Sequence, residues 1–153
     1  MPLTGVYSVL PTPFTRGGDV DLDGLGRVVD LVVAAGVEGV TVLGVTGEVS
    51  RLLERERAQI VECVIRKAAG RVKVIVGTSA DGQRASIEFS REAKALGANA
   101  VMISPPRMPK LSSEAVVTHY KCVAEAVDLP IVIQDYPPIS GFAMEPKIGR
   151  AHV

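Results

Sequence analysis

The 153-residue sequence contains no tryptophan, and aromatic residues make up only 4% of it. It has no excess charge of either sign, because 17 basic residues balance 17 acidic ones. This balance argues against a nucleic-acid-binding face. No apolar run approaches the roughly 18 residues of a membrane span, and the start, MPLTGVYSVLPTPF, lacks the features of a signal peptide. We therefore expect a cytoplasmic protein with no membrane partner.

Cysteine and metal-ligand patterns are also scarce. Cys63 and Cys122 are the only cysteines, and each falls within an apolar helical pattern. We interpret both as buried free thiols, which fits a reducing compartment. No His, Cys and carboxylate residues have the spacing of a metal site, so no metal is expected. His119 lies within a helical pattern, where a surface or packing role is the simplest interpretation.

What the sequence does have is a regular alternation of two patterns. Short, nearly continuous apolar runs are typical of strands that are buried on both faces. Five such runs predict strands at 5–10, 39–44, 72–77, 100–104 and 130–134. Apolar residues at three- and four-residue spacing predict helices between them, at 22–35, 52–69, 83–96 and 113–127.

The boundaries of these predicted elements carry the expected residues. Gly36, Gly70 and Gly97 each follow a helical pattern, where a left-handed C-terminal cap favours glycine. Ser112 is a predicted N-cap. The prolines of 103–109 predict a loop.

Strands alternating with helices predict a parallel α/β sheet with right-handed crossovers. Two architectures satisfy the pattern, a doubly wound open sheet and a (β/α)8 barrel. A closed barrel needs eight strands, usually in about 250 residues. Five predicted strands therefore indicate either an open sheet or part of a longer barrel.

In both architectures the functional end lies at the carboxyl ends of the strands. The stretch GVTGE follows the second predicted strand. Gly44 and Gly47 allow a tight loop close to a ligand, and the Thr46 hydroxyl with nearby N–H groups suits a small carboxylate. The alternative is a simple βα connection in which Thr46 satisfies the loop backbone. No Gly-rich dinucleotide or phosphate loop follows any strand.

Taken together, the motifs resemble one family. The order T-P-F, G-V-T-G-E, G-T-S, S-P-P and Q-D-Y-P-P, over about residues 3–146, is similar to the N-terminal half of the dihydrodipicolinate synthase/N-acetylneuraminate lyase family. The resemblance implies a (β/α)8 TIM barrel, of which this chain would supply about five strands and four helices. It also implies class I aldolase chemistry, in which a lysine forms a Schiff base with pyruvate or a related 2-oxo acid. It implies no cofactor and a homotetrameric parent protein.

The resemblance also implies roles for individual residues. In the family the G-V-T-G-E loop holds the keto acid's carboxylate, here through the Thr46 hydroxyl and the Gly47 N–H. Val45 stands where the synthase has a proton-relay threonine, and Val cannot pass a proton. Val45, Thr46 and Gly47 are therefore the predicted substrate-binding residues of this loop.

Two further relay positions differ. Pro105-Pro106-Arg107 replaces Pro-Tyr-Tyr, so the relay tyrosine is absent, and Arg107 is either a ligand for an acidic substrate or a solvent-exposed loop arginine. Gln134 stands where the family has the phenol that moves protons around the Schiff base. Tyr136 lies two residues further on and would substitute only if the loop bends it inward. Gln134 and Tyr136 are the predicted catalytic residues.

These differences predict an aldolase or lyase divergent from dihydrodipicolinate synthase. The first alternative is a non-catalytic protein that binds a small carboxylate on the same scaffold. The second is a self-sufficient doubly wound domain for a phosphate ligand, which would need the absent Gly-rich loop.

The family's Schiff-base lysine lies at the end of a sixth strand, and Lys110, Lys121 and Lys147 do not match it. We therefore expect this fragment to be inactive and aggregation-prone by itself, because its edge strands and inner faces would lack partners. Residues 1–147 are predicted to be the barrel segment. Residues 148–153 are predicted to be a non-native tail.

Overall fold

The computed structural model of the chain describes residues 3–146 and 148. It divides into two compact units. The first runs to Gly77 and includes Leu96–Asn99. The second contains Thr78–Ala95 and continues from Ala100.

The first unit is a β-α-β-α-β arrangement. Its elements are β1 (Tyr7–Val9), α1 (Leu22–Ala34), β2 (Gly39–Val42), α2 (Glu54–Ala68) and β3 (Lys73–Gly77). β1 pairs with β2, and β2 with β3, both in parallel. β2 is buried along its whole length, which explains its continuous apolar run. The three predicted strands and both predicted helices are confirmed.

Local capping explains where these helices begin and end. The Asp21 carboxylate accepts a hydrogen bond from the Gly24 N–H at 2.7 Å and starts α1. α2 begins two residues later than predicted, after a 3₁₀ turn at Val49–Arg51. Gly36 and Gly70 have φ of +82° and +73°, as their predicted capping role requires.

The second unit repeats the pattern. Its elements are α3 (Gln83–Leu96), β4 (Ala100–Ile103), α4 (Ser113–Ala126), β5 (Ile131–Ile133) and the four-residue α5 (Pro137–Ser140). β4 pairs with β5 in parallel. Ser112 caps α4 by accepting a hydrogen bond from the Ala115 N–H at 3.2 Å, as predicted. Only α5 was not predicted, and proline fits there because it starts the helix.

Both cysteines are free, Cys63 buried and Cys122 half-buried. Across residues 3–146 and 148, no helix is long and apolar enough to cross a membrane.

Ile148 is completely buried, and its N–H donates to the Glu145 carbonyl at 2.9 Å. Lys147 and residues 149–153, His152 among them, lie outside the described residues. The predicted boundary between residues 147 and 148 therefore stays a prediction.

Candidate functional site

The loop after β2 has an unexpected backbone. Its left-handed positions are Leu43, with φ of +58°, and Glu48, with φ of +55°. Gly44 and Gly47, the two glycines of this loop, are not among the residues of positive φ. A left-handed conformation at leucine costs about 1–2 kcal/mol, so the surrounding contacts must hold this loop in place.

Gly47 packs closely against neighbouring backbone and does not adopt an unusual φ. A Cβ there would lie 3.3 Å from both the Leu10 and the Gly44 carbonyl oxygens. The Thr12 hydroxyl donates to the Gly47 carbonyl at 2.7 Å in a buried position. This bond gives the T-P-F motif a structural role that we had not predicted, because it joins residues 35 positions apart.

The loop contains two residues that could donate hydrogen bonds to a carboxylate, Gly47 and Thr46. The Gly47 N–H already donates to the Gly44 carbonyl at 3.1 Å. Thr46 is exposed, and neither its hydroxyl nor its N–H hydrogen-bonds to any described residue. Its hydroxyl therefore does not close the loop. Val45, 41% exposed, adds an apolar surface beside it.

The second unit brings three polar side chains together after its strands. The Ser104 hydroxyl donates to Gln134 Oε1 at 2.8 Å, and the Ser104 N–H donates to Ser79 Oγ at 2.9 Å. The Gln134 N–H donates to the Ile103 carbonyl at 2.9 Å, which extends the β4–β5 pairing. Ser79, Ser104 and Gln134 are half-buried. Of these three, only Gln134 was predicted as a site residue, because a lone serine after a strand carries no distinctive signal.

Arg107 is exposed and paired. Its N–H and Nε donate to Asp81 Oδ1 at 3.0 and 3.1 Å, and its Nη2 donates to Oδ2 at 3.2 Å. The hydrogen-bonded guanidinium lowers the pKa of the Asp81 carboxyl, and the carboxylate raises the pKa of Arg107. The arginine charge is thus largely balanced within the second unit.

Tyr136 is at the N-cap of α5 and its side chain is 46% exposed. Its carbonyl accepts the Ser140 N–H at 3.1 Å, whereas its hydroxyl hydrogen-bonds to no described residue. β5 ends at Ile133, so the strand alternation that would relate Tyr136 to Gln134 is interrupted.

A cleft of about 480 Å³ lies between the start of α3, the loop after β4 and the start of α4. His119 is one of its lining residues, yet it is only 4% exposed and packs edge-on against the Tyr120 ring. Burial lowers the pKa of His119. Of the two roles predicted for His119, at the helix surface or in packing, its burial supports packing. Among the described residues, no group of three or more His, Cys, Asp or Glu side chains is arranged to hold a metal ion.

Tyr120 is equally buried, and its hydroxyl donates to the Ile103 carbonyl at 2.9 Å. Burial and then the nearby Asp135 charge raise the pKa of this phenol, so it stays protonated and serves as a structural donor.

Comparison with known proteins identifies this arrangement. The chain matches the model of the dihydrodipicolinate synthetase family over residues 2–150. It is 40% identical to the 4-hydroxy-tetrahydrodipicolinate synthase of Pelobacter propionicus, over 94% of this chain and 49% of that one. The same enzyme of Laribacter hongkongensis is 36% identical, with 88% and 46% covered.

Solved structures agree. The dihydrodipicolinate synthase of Aquifex aeolicus superposes with a TM-score of 0.91 at 31% identity, covering 96% of this chain and 50% of the other. That of Rhodopseudomonas palustris gives a TM-score of 0.88 at 37% identity, with 97% and 50% covered. This likeness confirms the partial (β/α)8 barrel over the doubly wound sheet. The chain spans about half the length of these relatives, and it belongs to the dihydrodipicolinate synthetase family.

Proposed function

We propose that the chain is the N-terminal part of an aldolase or lyase that forms a Schiff base with pyruvate or a related 2-oxo acid. Family membership supports this, and the observation that carries it is the loop after β2. There a rigidly packed backbone presents Thr46 with both of its donors unused.

Thr46 is the main carboxylate ligand in this proposal. Its hydroxyl and N–H can both donate to an anionic oxygen without breaking a bond in the loop. The Gly47 N–H would have to exchange the Gly44 carbonyl for the ligand. Val45 forms an apolar contact for the ligand rather than a proton path.

The parent protein diverges from the synthase at its proton-transfer positions. Gln134 does not ionise, and Val45 and Arg107 carry no hydroxyl. Tyr136 supplies the missing phenol if α5 shifts, because its hydroxyl is free and its side chain is exposed. Arg107 would bind a second acidic group of the substrate only by giving up its hydrogen bonds to Asp81.

The reactive amine comes from outside residues 1–153 in this proposal. The fragment alone is then inactive, and the parent protein is a cytoplasmic homotetramer that needs no cofactor.

Borohydride trapping tests the proposal. The full-length protein carrying this sequence is incubated with pyruvate or another 2-oxo acid from a panel and reduced with borohydride. The mass of the protein is then measured by mass spectrometry. We expect one reduced adduct per chain. Thr46→Val should raise the 2-oxo acid concentration for half-maximal trapping about tenfold, because a hydrogen bond to a charged group is lost.

Thr4→Val is the matched control, since Thr4 is exposed and forms no hydrogen bond with a described residue. Absence of an adduct with every 2-oxo acid would refute the Schiff-base proposal.

A non-catalytic carboxylate-binding protein is the second candidate. It is favoured by the same non-ionising residue, Gln134, at the strand end. Pyruvate binding in the full-length protein, detected by ligand-observed NMR without any trapped adduct, would support it instead.

A further inference from the structure

The side chain of Gln134 is held in one orientation. Its Oε1 accepts the Ser104 hydroxyl at 2.8 Å, and its backbone N–H is fixed on the Ile103 carbonyl. The Nε2 amide group, in contrast, hydrogen-bonds to no described residue. Because the acceptor end is occupied, the free end of this half-buried side chain offers donors only.

The backbone of Ser104 is itself fixed by a hydrogen bond. Its N–H donates to Ser79 Oγ at 2.9 Å. Ser79 follows Thr78, which is buried and fixed by two serines of α3. The Ser86 hydroxyl donates to the Thr78 carbonyl at 2.9 Å, and Ser90 Oγ lies 2.8 Å from Thr78 Oγ1. Hydrogen bonds, together with the peptide bond between Thr78 and Ser79, thus connect α3 to the end of β5.

Such a line preorganises the amide. A free glutamine side chain samples many rotamers and presents either its oxygen or its nitrogen, so binding would have to fix it each time. Here the second unit fixes it beforehand. None of the three side chains Ser79, Ser104 and Gln134 ionises near neutral pH, so their geometry does not depend on protonation.

We propose that Ser104 is a positioning residue that makes Gln134 a fixed hydrogen-bond donor to an oxygen of the bound 2-oxo acid. This inference rests on the proposed function, because it gives Gln134 a role in binding the 2-oxo acid of that proposal. Gln134 then selects substrates that place a carbonyl, hydroxyl or carboxylate oxygen beside Nε2. It does not transfer protons, and the proton steps of the reaction go through other groups.

Four variants of the full-length protein test it, with pyruvate affinity measured by ligand-observed NMR between pH 5 and 8. Ser104→Ala should weaken pyruvate binding about fivefold to tenfold, since the freed amide must be ordered on binding. Ser104→Thr keeps the hydroxyl and should restore most of the affinity. Ser113→Ala is the control, because that half-buried serine forms no side-chain hydrogen bond with a described residue.

Gln134→Glu gives the most specific signature. The Ser104 hydroxyl can still donate to the carboxylate, but the Nε2 donors are replaced by an anionic oxygen. Pyruvate affinity should fall at least tenfold at pH 8 and recover in part towards pH 5, because a fraction of the carboxyl, with an ordinary pKa near 4.3, then carries a proton and becomes a donor. A purely structural effect would lower affinity equally at all pH values.

The outcomes separate the two proposals. Wild-type affinity in Ser104→Ala, or no pH-dependent recovery in Gln134→Glu, would overturn the role of Ser104 and Gln134 while leaving borohydride trapping intact. If the variants lose affinity as expected but no adduct is trapped, the positioning role is upheld and the Schiff-base chemistry is refuted. A wild-type protein that binds no pyruvate or other 2-oxo acid would overturn both.

Discussion

The loop after β2 and the strand ends of the second unit are held by different kinds of interaction. The loop depends on backbone packing, because Gly47 lies close to two carbonyl oxygens. The buried Thr12 hydroxyl also donates a hydrogen bond to the Gly47 carbonyl. The strand ends depend on hydrogen bonds through the side chains of Ser79, Ser104 and Gln134. In the first region the backbone positions the donors, and in the second region side chains do so.

This difference bears on the proposed divergence from the synthase. A Cβ at Gly47 would come within 3.3 Å of two carbonyl oxygens, which would have to shift. The proposed exchange of a phenol for Gln134 would change the chemistry of the site, while the Gln134 backbone keeps its hydrogen bond to the Ile103 carbonyl. In this proposal, backbone packing constrains residue identity more strongly than side-chain hydrogen bonding does.

The largest expected effect comes from Gly77→Ala, which tests the packing of the first region. A Cβ at Gly77 would collide with the Leu43 carbonyl, so β3 or the strained Leu43 must move. We expect a loss of about 3 kcal/mol in the free energy of unfolding, measured by urea denaturation.

Gly82→Ala is the matched control. A Cβ there has open space and an ordinary φ, so we expect a change within about 0.5 kcal/mol. Equal stability of the two variants would show that the loop does not depend on close backbone approach.

Thr12→Val should have the next largest effect. The change keeps the shape of the side chain but leaves the buried Gly47 carbonyl without its donor. We expect a loss of about 1–2 kcal/mol and faster amide hydrogen exchange at residues 44–48. Thr4→Val, at an exposed position, should leave both quantities unchanged. Unaltered exchange in Thr12→Val would mean that other contacts suffice to hold the loop.

These two regions also show what could be predicted from the sequence. The five strands and four longer helices follow from burial periodicity and lie within one or two residues of their predicted bounds, because burial dominates their formation. α5 was missed because four residues give no periodicity. The left-handed conformations of Leu43 and Glu48 were not predicted, because tertiary packing imposes them on residues that do not favour that conformation.

Sequence motifs could indicate candidate site residues but not the partners to which those residues hydrogen-bond. Thr46 and Gly47 lie in one short motif, so the motif indicated them together. The bond between Ser104 and Gln134 joins residues 30 positions apart, and the pair of Asp81 and Arg107 joins residues 26 apart. Such partners depend on which loops the topology brings side by side, and no local pattern specifies that.

His119 provides a pH-dependent test of the second unit. Burial lowers its pKa in the folded state below the value near 6.5 of an unfolded chain. Above about pH 6.5 the histidine is neutral in both states, so the free energy of unfolding carries no penalty from its burial. Below that pH the unfolded state binds the proton more tightly, so acidification favours unfolding. We expect the free energy of unfolding to fall between pH 7 and pH 5. A His119→Gln variant should show a flatter dependence in urea denaturation, and an identical slope would assign the effect to other groups.

The smallest expected effect concerns the ion pair of Asp81 and Arg107. The Arg107 guanidinium lowers the pKa of Asp81 in the folded state, so its contribution is present above the unfolded value near 3.9 and is lost as pH falls through the folded value. Both side chains are about half exposed, at 51% and 57%, and solvent screening limits this contribution to about 0.5 kcal/mol or less. Arg107→Gln should therefore raise the Asp81 pKa in an NMR titration while urea stability at pH 7 hardly changes. A large loss of stability would show that the loop after β4 depends on this pair as firmly as the loop after β2 depends on its backbone packing.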